Sequence, residues 1–131
     1  MLVDISPDWE HFEFADSHIS SCTINAHVLS LELKNLSMSA KHQQNVTDGW
    51  VSLRNCHLEF SGVKDFEAKS YDSNSDSYTG LSDCVIDIYV VCRVERGTGT
   101  WTMSGWLREG PWVDIKFNFS SVTLQAPDPR T

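Results

Sequence analysis

The sequence predicts an all-β protein, an antiparallel β-sandwich or partly open barrel of 7–8 strands with at most one short helical turn. Three observations carry that expectation. Apolar and polar residues alternate along most of the chain, the mark of strands with one dry face. Short polar or glycine-containing breaks separate the alternating runs, so neighbours should pair antiparallel. No stretch sustains a helical apolar period between start and stop signals. The 131 residues, 40% hydrophobic and 21% charged, are expected to form one domain, 1–131, with a core that closes without disulfides or metal.

The elements follow in order. Ser6 and Pro7 in SPDWEHFEF offer a cap and first position for the helical turn. In HVLSLEL, Leu29, Leu31 and Leu33 face one way and Ser30 and Glu32 the other. HISSCTI precedes it with Ile19, Cys22 and Ile24, and Asn25-Ala26-His27 is short enough to close only an antiparallel hairpin. Residues 39–49 read as a loop. WVSLRNCHLEF changes parity between Leu53 and Cys56, which predicts a bulge at Arg54-Asn55.

VKDFEAKSY is a further strand after the Ser61-Gly62 break, and residues 71–83 read as a second loop. CVIDIYVVCRVER is rich in β-branched residues and puts Cys92 in step with Ile86, Ile88, Val90 and Val94. TWTMSGWLRE and PWVDIKFNFSSVTLQ form a hairpin around Glu109-Gly110-Pro111. The parity slip between Phe119 and Val122 predicts a bend at Ser120-Ser121, and the chain should fray from about residue 126.

Chemistry-bearing residues are numerous but do not assemble a recognisable centre. Asp16-Ser17-His18 cannot form a catalytic relay, because neighbours on an extended chain project to opposite faces; it reads as a polar strand entry. His11, His18, His27, His42 and His57 lack a clustered ligand pattern. The YDSNSDSYTG segment has calcium-like Asp and Asn spacing but no glycine at the position such a loop needs and no closing glutamate. Cys22, Cys56, Cys84 and Cys92 contain no CxxC pair and read as buried free thiols. No catalytic residue, metal ligand or cofactor is assigned.

Surface character points to binding. The formal net charge is −8, which disfavours nucleic acid and anionic membranes and favours a basic partner. From 65 to 87, six carboxylates stand against Lys69 alone, more than half of that charge. Trp101, Trp106 and Trp112 lie close in sequence, and strand parity sets Trp101 with Met103 but turns Trp106 the other way, so at least one indole should leave the core face. Charge and aromaticity nominate Asp65, Glu67, Tyr71, Asp72, Asp76, Tyr78 and Asp83 as one part of a partner-binding surface. Trp106, Glu109 and Trp112 supply the other part, if the two share a face.

FADSHISSCTINAHVLSLEL followed by WVSLRNCHLEFSGVKDF resembles small β-rich bacterial immunity proteins, the antidotes of polymorphic and contact-dependent toxins. The shared features are an Asp-Ser-x-Ile start, a hairpin with alternating leucines and an aromatic strand ending in Phe-x-Gly-Val, over Phe14 to Phe66. The resemblance implies a non-enzymatic protein that occludes a toxin domain, often a basic nuclease. Its N-terminus lacks secretory-signal features, so a cytoplasmic monomer or weak homodimer is expected. The alternatives are a carbohydrate- or small-ligand-binding β module using exposed Trp and Tyr, and a small-barrel enzyme with carboxylate or histidine acid–base groups.

Overall fold

A computed structural model of the chain describes residues 2–4, 11–39, 41, 49–72, 75–80, 88–97, 99–107 and 112–126. They form β1 (Leu2–Asp4), β2 (Phe12–Glu13), β3 (His18–Asn25), β4 (Val28–Met38), β5 (Val51–Ser61) and β6 (Lys64–Asp72). The chain continues through β7 (Ser77–Gly80), β8 (Ile88–Gly97), β9 (Thr100–Leu107), β10 (Trp112–Asn118) and β11 (Ser121–Gln125). The fold is all-β, as the alternation predicts. Eight strands have five or more residues, and β1, β2 and β7 are shorter additions. No helix among the described residues is long and apolar enough to cross a membrane.

All pairings are antiparallel and run β1-β11-β5-β4-β3-β8-β9-β10-β6-β7, with β2 on β4. This network turns back on itself at two places. On one side, β3 meets β8 through the Ile19–Ile88 pair, and Asp16 N donates to Val91 O at 2.8 Å while Val91 N donates to Ser17 O at 2.9 Å. On the other side, two strands pass from layer to layer together. β5 continues into β6 across Gly62-Val63, β11 follows β10 across Phe119-Ser120, and the pairs β5·β11 and β6·β10 lie on either side of the bend.

Backbone hydrogen bonds hold that corner. Ser120 N donates to Ser61 O at 2.8 Å, Val63 N to His27 O at 2.9 Å and Phe119 N to Gly99 O at 2.9 Å. The bend expected at Ser120-Ser121 is therefore a corner shared by two strands. Gly62 supplies the backbone freedom at φ +67°, and it lies so near Ser120 that a Cβ would sit 2.8 Å from the serine Cβ.

Side-chain rows cross the inner faces. Ile24, Leu29, Phe60 and Val122 align on β3, β4, β5 and β11, and the next row is Cys22, Leu31, Leu58 and Leu124. On the facing layer Met103 and Ile115 pair with each other, and Phe117 pairs with Trp101. Phe60 joins the layers, its ring centroid 5.0 Å from Trp101 and 4.8 Å from Phe117, both edge to face. Phe14 closes on Trp101 at 5.3 Å. These aromatic edges fill the corner with rigid area that costs little rotamer entropy to order.

Parity slips have three local causes. In β3 the register shifts between Ile19 and Ser21, which lets both Ile19 and Cys22 face inward. In β8 shifts between Ile88 and Val90 and between Val91 and Arg93 bury Val91, the opposite parity from the set expected to align with Cys92. At Arg54-Asn55 the expected bulge is absent. Leu53 and Cys56 are both buried, but the β4·β5 register is unshifted because Leu33 and Leu36 switch parity alongside them, with Asn35 at φ 64°.

One further expectation needs correction. The loop assigned to 71–83 contains β7, which pairs with the end of β6 through Tyr71–Tyr78 and Asp72–Ser77. Asp76 at φ 50° makes the return, a conformation aspartate tolerates better than most residues. Phe12–Glu13 pairs with Met38 and Ser37, whereas the start of the helical turn expected in 6–14, its cap Ser6 included, lies outside the described residues, as do most of the 39–49 loop and the tail beyond Ala126.

Candidate functional site

The outer face of β9, β10 and β6 carries an aromatic row. Trp112 on β10 is directly opposite Trp106 on β9 and Tyr71 on β6, and the backbone of Tyr71 pairs in turn with Tyr78 on β7. Their inward neighbours Val113 and Gly105 complete the core side of the same strands. Directly opposed residues on adjacent antiparallel strands share a face, so strand register gathers residues from three separate stretches of sequence.

Trp106 is 47% exposed, a large apolar area left facing solvent. Its indole meets Trp112 edge to face with centroids 5.1 Å apart. Carboxylates hold the polar ends of the other two rings. Trp112 Nε1 donates to Asp114 Oδ1 at 3.2 Å, and the Tyr71 hydroxyl donates to Asp76 Oδ1. The row is thus an apolar strip with anionic groups at its rim.

The same face changes character toward the corner. Lys69 stands opposite Asp114, and Glu67 opposite Lys116, so opposite charges alternate across β6 and β10. Asn118 then bridges, donating to Asp65 Oδ2 at 3.0 Å and accepting from Thr100 Oγ1 at 3.3 Å. A groove of about 470 Å³ opens here, lined by Asp65, Phe66, Glu67, Thr100, Lys116, Phe117 and Asn118. Its charge is mixed.

A second groove, of about 340 Å³, lies at β4, β5 and the end of β11, lined by Glu32, Asn55, Cys56, His57, Gln125 and Ala126. His57 Nδ1 is paired with the Glu32 carboxylate on the outer side. Cys56 is only 2% exposed, and burial, with Glu32 adding, pushes its thiol up to about 12. A thiol so protonated is a poor nucleophile.

That shift has a testable consequence. Because the folded thiol holds its proton more tightly than the unfolded one, its stabilising contribution is complete below about pH 9, the ordinary value, and is lost as pH rises toward 12. Urea midpoints measured from pH 8 upward should fall more steeply for the natural chain than for Cys56→Ala. Parallel slopes would remove Cys56 as a contributor.

In the Asp16-Ser17-His18 triplet, the first two residues shape the backbone. Asp16 turns the chain at φ 67°, and the buried Ser17 hydroxyl donates to Phe14 O at 2.5 Å. Cys22 and Cys56 are buried and in no disulfide, as expected, whereas Cys84 and the side chain of Cys92 lie outside the described residues. Among the described residues no group of three or more His, Cys, Asp or Glu is arranged to hold a metal ion.

The nominated surface residues fall into two groups on β6 and its neighbours. Tyr71, Asp76, Trp106 and Trp112 meet at the aromatic end, whereas Asp65 and Glu67 lie at the corner, about 13 Å further along from Tyr71 to Glu67 at ordinary strand rise. Asp72 and Tyr78 belong to the β6·β7 hairpin by their backbone. Asp83 and Glu109 lie outside the described residues.

Sequence reasoning missed Asp114, although its place two residues after Trp112 puts both on one strand face. It also missed Trp50, 60% exposed immediately before β5. No known family model matches this chain, and no curated protein or solved structure matches it either.

Proposed function

We propose that this protein is a non-enzymatic binding module of the immunity type, neutralising a basic, nuclease-type toxin domain by covering it. The observation that carries the reading is the solvent-facing Trp106–Trp112–Tyr71 row with Asp76 and Asp114 at its rim. Aromatic side chains beside satisfied polar groups are the usual anchors of protein interfaces. The net charge of −8 supplies long-range attraction for a basic surface.

The edge-to-face packing of Trp106 and Trp112 favours a protein partner over a flat glycan. Stacking a sugar chain needs ring faces presented side by side, and here one indole turns its edge to the other.

Two contributions to binding should separate kinetically. Complementary charge acts mainly on encounter, while desolvated aromatics act mainly on escape. With the partner recovered by affinity capture, added salt should slow association by on the order of tenfold and change dissociation far less. An association rate indifferent to ionic strength would contradict the electrostatic part of this reading.

A further inference from the structure

We infer that the aromatic row is an anchor for an arginine side chain of the partner, the guanidinium lying on an indole face and bonding the Asp114 carboxylate. This rests on the basic-partner reading above and adds the chemistry of the group that is held. The row combines what a guanidinium needs. Trp106 offers an apolar ring to solvent, and Asp114 lies next to the paired Trp112.

The hydrogen bonds within the row strengthen the case. Trp112 and Tyr71 each donate to a carboxylate, which draws positive charge toward the ring edge and makes the ring face more attractive to a cation. Each bond uses one carboxylate oxygen, Oδ1, and a carboxylate has room for about four such contacts. Asp114 can therefore hold Trp112 and receive a partner donor together.

Arginine fits better than lysine. A planar guanidinium stacks on an indole and presents a fork of donors to a carboxylate, whereas an ammonium is compact and strongly hydrated. Lys69, opposite Asp114 on β6, already brings a cationic residue to this face. A partner lysine would duplicate that charge without gaining the stacking.

The test is a titration of the full ¹⁵N-labelled chain with a blocked hexa-arginine peptide and, separately, with blocked hexalysine. The indole N–H cross-peaks are followed. The Trp106 and Trp112 signals should move and saturate with hexa-arginine, with hexalysine binding roughly tenfold more weakly.

Trp106→Ala, with its other cross-peaks in place to show an intact fold, should weaken the arginine peptide by roughly tenfold. Asp114→Asn should reduce the preference for arginine over lysine. Equal binding of both peptides, unaffected by Trp106→Ala, overturns the anchor. So do shifts confined to other acidic residues, which leave the basic-partner reading standing. No shift anywhere at low ionic strength overturns both.

Discussion

Phe60→Ala should cost about 3–5 kcal/mol of folding stability, the range found when a buried aromatic is truncated in a packed core. Phe60 is fully buried and touches Trp101, Phe117 and Phe119 with ring centroids 4.8–5.1 Å away. It stands on β5 one residue before the strand ends at Ser61, so it fills the space where both layers converge on the corner. Its neighbours come from β9, β10 and the bend after β10. They cannot all collapse into the cavity without pulling the corner apart.

A loss of that size would be a large fraction of the roughly 5–15 kcal/mol that stabilises an ordinary domain. Phe60→Leu, which keeps most of the apolar volume, should lose much less. Urea unfolding followed by tryptophan fluorescence checks both variants. A loss below about 1.5 kcal/mol for the alanine variant would mean that the aromatic cluster is not the joint between layers.

Gly62→Ala should be nearly as damaging, for a different reason. At φ +67° an added Cβ meets the preceding backbone unfavourably, a cost of about 1–2 kcal/mol. The same Cβ would lie 2.3 Å from Ser120 Oγ and 2.8 Å from Ser120 Cβ. Rotating the serine moves only the hydroxyl, so the second clash persists until the two strands separate.

Overpacking of this kind adds about 1–3 kcal/mol, for a total of roughly 2–4 kcal/mol. The double variant Gly62→Ala with Ser120→Gly should recover the steric part and retain the backbone part. Equal losses in the single and double variants, measured by urea unfolding, would show that the corner opens freely and that Ser120 does not constrain it.

The sequence disclosed the strands better than their arrangement. Leu29, Leu31 and Leu33 alternate with Ser30 and Glu32 because one face is wet, and that pattern is local. The slip between Phe119 and Val122 likewise marked the corner. The slip between Leu53 and Cys56 was equally visible, but its cause was not. A matching switch on β4, with Asn35 left-handed, keeps the register, and only knowledge of the partner strand distinguishes that from a bulge.

β7 escaped notice because its neighbourhood, YDSNSDSYTG, is almost wholly polar and has no dry face to betray a strand. The candidate site shows the same boundary between local and global information. Trp106, Asp76 and Asp65, nominated singly from charge and aromaticity, are exposed. Their grouping depends on β10 lying between β9 and β6. The β9·β10 hairpin was readable, whereas the β10·β6 pairing follows from a corner that sends two strands across together.

The proposed recognition surface is the Trp106–Trp112–Tyr71 row. The most direct measurement uses two baits on the same lysate of the source organism, the natural chain and the variant Trp106→Ala, Trp112→Ala, with mass spectrometry of retained proteins at low and high salt. Each indole contributes on the order of 2 kcal/mol if it is an anchor, so the double variant should lose a basic partner that the natural chain retains at low salt and releases at high salt. Retention of the same basic protein by both baits would place its binding surface elsewhere on the chain and rule out the aromatic row.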